Sequence, residues 1–145
     1  MITPLEPSLS IRGKIIAALK ADPQLNAIVP AARVYPSKVL AGVAWPFIRV
    51  GVITTTPFRT DGQPGGDGTG AVHCFVKRDA STTPDPEARA ATINAHVVRI
   101  LDDIDAVELD DDAELSIHVR QAQVIEDSAE ADAYHGIVTY EALAL

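Results

Sequence analysis

The stretch from Asp85 to Ile104, DPEARAATINAHVVRILDDI, decides how this chain must fold. Ile93, Val97, Ile100, Leu101 and Ile104 recur at i, i+4, i+7, i+8 and i+11, which puts them on one face of a helix. Asp85 supplies an N-cap, Pro86 suits a first helical position that needs no N–H, and Glu87 lies at the positive end of the dipole. A helix apolar on one face alone must lay that face on something, and the flanking segments offer strands.

Phe47 to Thr56 reads as a strand, rich in β-branched residues and bounded by Pro46 and Pro57. Its apolar residues fall on both parities (Phe47, Ile53; Ile48, Val50, Val52), so both faces should be partly covered. Ala71 to Arg78 alternates, with Val72, Cys74 and Val76 on one side and His73, Phe75 and Lys77 on the other. Glu114 to Ile125 and Tyr134 to Leu143 follow the helix as two more strands. In the first of these, Leu115, Ile117 and Val119 give way near Arg120 to Ala122 and Val124, a phase slip that predicts a β-bulge. The fold class is therefore α+β: an antiparallel sheet of about four main strands with helices packed on one face.

The remaining segments fit around that sheet. Pro4 and Pro7 keep residues 1–7 extended. A helix begins near Ser8, with Leu9, Ile15, Ile16 and Leu19 on one side and Ser8 or Ser10 as cap. Arg12 falls inside its apolar arc, either snorkelling past the core or reaching a subunit contact. Asp22-Pro23 opens a second short helix through Val29, and Arg33-Val34-Tyr35 is a short extended piece stopped by Pro36. Ser37 to Ala44 is a loop. Arg59 to Gly70 holds five of the nine glycines and reads as a mobile loop or a long, flared hairpin connection. No internal repeat is visible, and the expectation is a single domain over residues 1–145.

Composition removes several classes of function. The net charge is −8, from 20 acids against 12 bases, whereas a nucleic-acid grip calls for a basic face. No apolar run approaches the ~20 residues that span a bilayer, and residues 1–7 lack the pattern of a signal peptide. The lone cysteine, Cys74, rules out an internal disulfide and fits a reducing cytoplasm. Aromatic residues are only 5%, so the core must rest on Val, Ile, Leu and Ala.

No catalytic or cofactor motif emerges. His73, His118 and His135 lie on strands that could bring them to one metal, but none has zincin, zinc-finger or deaminase spacing, and Cys74 faces away from His73. His96 borders the apolar stripe of the long helix. Asp110-Asp111-Asp112-Ala113-Glu114 lacks the alternating ligands and glycine of an EF-hand and reads as a solvated turn. The glycine run leads into a strand rather than a helix, so it is no phosphate cradle, and no serine sits in a nucleophile elbow.

The order of segments carries a resemblance. It runs from the helix ending Ala18-Leu19-Lys20-Ala21-Asp22-Pro23-Gln24-Leu25 through Arg33-Val34-Tyr35-Pro36, Trp45-Pro46-Phe47-Ile48-Arg49-Val50 and the His73 strand. It then passes through the long helix to Ala133-Tyr134-His135-Gly136-Ile137-Val138-Thr139-Tyr140. From Ser8 to Tyr140 this resembles the tail-completion proteins of long-tailed bacteriophages, the tail terminators of the lambda type. The resemblance implies a structural virion protein with no active site, metal or cofactor. It implies a homo-hexameric ring that caps the tail-tube protein, joins a neck, stopper or head connector protein, and lets DNA pass unbound, away from any membrane. Such a ring is assembled in the host bacterial cytoplasm and ends at the tail–neck junction of a phage, prophage or gene-transfer particle. Candidate subunit or tube contacts are then Arg12, Trp45, Phe58, Arg59, Gly62, Gly65, Gly66 and Gly68. Asp110, Asp111, Asp112 and Glu114 become candidate lumen acids. Two alternatives stand beside it: another small neck protein such as a stopper, and a small metal-dependent enzyme on the same sheet, with ligands at His73 and His135.

Overall fold

A computed structural model describes residues 7–57, 65–109 and 113–145. The long helix, α3 (Pro86–Asp102), forms where its stripe predicts, with the Asp85 side chain accepting from the Ala88 N–H. Its face of Ala90, Ile93, Val97, Ile100 and Leu101 is buried on the sheet. Burying a side chain of that size contributes roughly 1.5–3 kcal/mol, which is why this face, rather than local propensity, fixes the helix in place.

Helix α1 (Ser8–Ala21) buries Ile11, Ile15 and Leu19 against the same core. Neither Ser8 nor Ser10 caps it; Pro7 stands at the N-cap without a side-chain hydrogen bond. A second, four-residue helix, α2 (Pro23–Asn26), is shorter than the reading to Val29, because the chain turns after Asn26 to bury Val29. Asp22 caps it through the Leu25 N–H at 2.9 Å and takes both Nη atoms of Arg99 at 2.8 and 2.9 Å. That carboxylate therefore ties the α1–α2 corner to α3.

Seven strands, rather than about four, make up the described sheet. They are β1 (Val34–Tyr35), β2 (Phe47–Val50), β3 (Thr54–Pro57), β4 (Gly66–Lys77), β5 (Val107–Glu108), β6 (Glu114–Glu126) and β7 (Ala133–Ala144). The order is β1-β2-β4-β7-β6-β5, with β3 also paired to β4. Every pairing is antiparallel except β1 with β2, which is parallel. The extra strands have plain causes. The segment read as one strand from Phe47 to Thr56 breaks at residues 51–53, and β1 and β5 are two-residue pieces too short for any period to register.

The largest difference lies in the glycine run. Gly66 to Gly70 are not part of a loop: they form the first half of β4, between Thr54–Pro57 of β3 and Tyr140–Ala144 of β7. Glycine carries no side chain, so the segment shows no alternation, yet its backbone completes two ladders. Gly65 sits at φ +129°, where a Cβ would collide with the Ala144 carbonyl, so only glycine fits. The bulge near Arg120 is present as a register shift between Val119 and Gln121.

Asp22 gives the fold a pH signature. Arg99, then the Leu25 amide, hold its carboxyl down at about 2, against 3.8 ordinarily. A depressed carboxyl stabilises the native state fully above the unfolded value, and that contribution fades as pH falls from about 4 toward 2. Asp22→Ala is expected to cost about 1–2 kcal/mol at neutral pH. Urea unfolding of the two proteins should converge as pH approaches 2; a gap that persists there would show that the carboxylate is not the cause.

Candidate functional site

One face of the sheet carries the helices, and the other collects most of the chain's few aromatic rings. Phe47 and Arg49 on β2 face Phe75 and His73 on β4 in register. His135 on β7 lies opposite Phe75. The rings form a continuous row. Phe47 stacks on Phe75 at 4.8 Å, and Phe75 stacks on His135 at 4.3 Å. Trp45 meets Phe47 edge-on at 5.2 Å, and Tyr35 closes the row at 6.2 Å. Each such pair contributes about 0.5–1.5 kcal/mol beyond its buried area. Tyr35, Trp45, His73, Phe75 and His135 are only half-buried, so the row is a surface as well as a brace.

The loop before β2 is pinned to this surface. Arg33 donates to the Trp45 carbonyl at 3.1 Å and Arg49 to the Ser37 carbonyl at 3.4 Å. The Trp45–Pro46 peptide is cis. Arg49 also places its guanidinium 5.9 Å from the Phe75 ring centre, within cation–π reach.

At the centre of the row, His73 Nδ1 and His135 Nε2 lie 2.8 Å apart, so one ring donates and the other accepts. Burial, then the charge of Arg49, then His135 pull His73 down to about 4. His135 is also lowered, by burial first, with Asp127 opposing and Arg49 assisting. His118 does not join them: it pairs with Glu141, six residues along β7 from His135. Cys74 points the other way, into the core beside Asn94, and burial pushes its thiol up to about 12. His96 lies 3.1 Å from an Arg99 nitrogen at the rim of α3.

The other singled-out residues scatter. Arg12 is half-buried and lines a small hollow with Leu9, Ser37, Val52 and Ile53, of which Leu9 and Val52 are strongly exposed apolar groups. Gly65, Gly66 and Gly68 are buried in or beside β4, so a contact there would run through backbone rather than a free loop. Glu114 is exposed at the start of β6, its backbone paired with Leu145. Phe58, Arg59, Gly62, Asp110, Asp111 and Asp112 lie outside the described residues. A second acidic surface escaped the sequence reading. Asp85, Glu87, Glu126, Asp127, Glu130 and Asp132 line a cleft of about 580 Å³ around Tyr134. The acids come from the start of α3 and from the end of β6 and the turn after it, and the packing of α3 on β6 and β7 gathers them.

The open face of the helix-backed sheet thus offers a row of stacked rings and a hydrogen-bonded imidazole pair. The profile of the family described as tail completion protein gp17 matches residues 13–144, and the chain belongs to that family. Its role is thus in tail completion, as the order of segments suggested. A chain in the solved virion of the native gene transfer agent particle has the same fold: TM-score 0.71 at 16% identity, covering 97% of this chain and 96% of that one. A second solved chain overlaps at TM-score 0.49 and 13% identity, covering 92% of this chain and 95% of its own. No curated protein sequence matches.

Proposed function

We propose that this protein is a tail terminator of the lambda type. Copies close a hexameric ring on the last ring of the tail-tube protein, halt its growth, and offer their other side to the neck, stopper or head connector. The observation that carries the reading is the family match across residues 13–144. The protein acts by contact rather than catalysis, at the tail–neck junction of a virion assembled in the bacterial cytoplasm.

The open sheet face supplies a physical motive for assembly. Half-buried rings around Trp45 and Phe75, with exposed Leu9 and Val52 beside Arg12, are apolar surface that a heterologous contact repeated about an axis would cover. Phe58, Arg59 and Gly62 are proposed to join those contacts. Asp110, Asp111, Asp112 and Glu114 are proposed to line the channel, so that phosphate slides past an acidic wall rather than sticking to it. Isolated protein should accordingly leave duplex DNA unbound at physiological salt; tight, salt-sensitive binding would refute the channel assignment.

The decisive experiment removes the protein from particles that otherwise assemble. The expected products are DNA-filled heads and separate tails lacking a cap, rejoined when purified protein is added. Normally joined particles would refute the role. Joined heads that leak DNA would instead assign the chain to a stopper.

A further inference from the structure

The imidazole pair on the open sheet face has a second chemical capacity. Two neutral ring nitrogens held close together on neighbouring strands are a chelating donor set as well as a hydrogen bond. The separation of His73 Nδ1 from His135 Nε2 is 2.8 Å. That is the length of the hydrogen bond the rings share; of the divalent first-row ions, copper binds a pair of imidazole nitrogens most tightly, with nickel close behind.

The surroundings hold both rings in place. Phe75 stacks on the His135 ring at 4.3 Å with an interplanar angle of 19°. Gly51 leaves room beneath His73, where an added Cβ would approach Nε2 at 3.3 Å and the Ala71 carbonyl at 3.1 Å. The two imidazoles are tilted by 34°, and both are half-exposed, so the pair is open to an ion from solvent. Among the charges that act on the pair, Arg49 from β2 opposes a cation and Asp127 after β6 favours one. Burial lowers both imidazoles, which favours the neutral form that binds metal.

We infer that His73 and His135 form a two-nitrogen chelating site for a divalent copper or nickel ion: the shared proton moves to the far nitrogen of the ring that carries it, both facing nitrogens bind the metal, and water completes its coordination. No group of three or more His, Cys, Asp or Glu side chains placed to hold a metal occurs among the described residues. The site therefore lacks the three protein ligands of a catalytic centre. It is a binding site of the free subunit, on the same face that the ring contact is proposed to cover.

The test is titration of the purified, metal-free protein with Cu²⁺ at pH 7.5, followed by electron paramagnetic resonance. The expected result is one copper per chain, with hyperfine splitting from two ring nitrogens. His135→Phe, which keeps a ring on Phe75, and His73→Gln, which keeps a polar group, should each weaken binding at least tenfold. His96→Ala combined with His118→Ala should leave it unchanged. Copper binding that survives both His135→Phe and His73→Gln, or a signal without nitrogen splitting, would overturn the site, as would a protein that binds no copper.

Discussion

Deleting Gly65 to Gly70 is expected to abolish cooperative unfolding of the protein. Those residues look dispensable as sequence, and a glycine-rich loop could be cut at little cost. In the fold they occupy the middle of three strands. Gly66 to Thr69 pair with Pro57 to Thr54 on one side, and Gly66 to Gly70 pair with Ala144 to Tyr140 on the other. Removing them detaches β3 and leaves the end of β7 without a partner on that side. It also exposes Tyr140, which is buried over Gly70: a Cβ on residue 70 would meet the Tyr140 hydroxyl at 2.6 Å. The loss is on the order of the whole folding free energy, about 5 kcal/mol or more. Thermal unfolding watched by circular dichroism decides it. A sharp transition within a few degrees of the parent would show that this half of β4 is peripheral.

Gly136→Ala is expected to be strongly destabilising. Gly136 lies on β7 opposite Cys74, on the face covered by α3. A Cβ there would come within 2.5 Å of both the Asn94 side-chain oxygen and the Cys74 sulfur. Neither neighbour can retreat cheaply. Asn94 is buried, and its Nδ2 donates to the Gln123 carbonyl at 2.9 Å, so moving it strands a polar group. Cys74 is buried under Ala90. Overpacking of this kind costs about 3 kcal/mol, or roughly 6–12 °C in Tm for a chain of this size. Cys74→Ala should return part of that loss by making room. If the double variant were no more stable than Gly136→Ala alone, the clash would lie elsewhere.

These two sites also mark where the sequence was legible. The stripe on α3, the alternation in the second half of β4 and the bulge after Val119 rest on side chains that repeat at a period, the Asp22 and Asp85 caps on an Asp-Pro pair, and each is present. Glycine carries no such signal, which hid the first half of β4. Two-residue strands are shorter than one period, which hid β1 and β5. The break after Val50 was concealed because Val52 and Ile53 still look strand-like, although Val52 turns out to solvent.

The candidate site divides in the same way. Alternation placed His73 and Phe75 away from Cys74, and their common face followed from that alone. Which β7 residue meets them depends on the β4–β7 register, which lies in backbone pairing rather than composition. His118 and His135 looked equivalent as strand histidines, and only the register brings one of them to His73. The ring row from Tyr35 to His135 escaped notice for a related reason. It is assembled from β1, the loop before β2, and β2, β4 and β7, each contributing one or two rings.

The most direct test of the tail-terminator reading is a cryo-electron microscopy reconstruction of the tail end in complete particles that carry this protein. The reading predicts a single ring of six copies between the last tube ring and the neck, with the acidic residues toward the channel. A single copy or a dimer per tail, or density for this chain along the tube or inside the head, would contradict it.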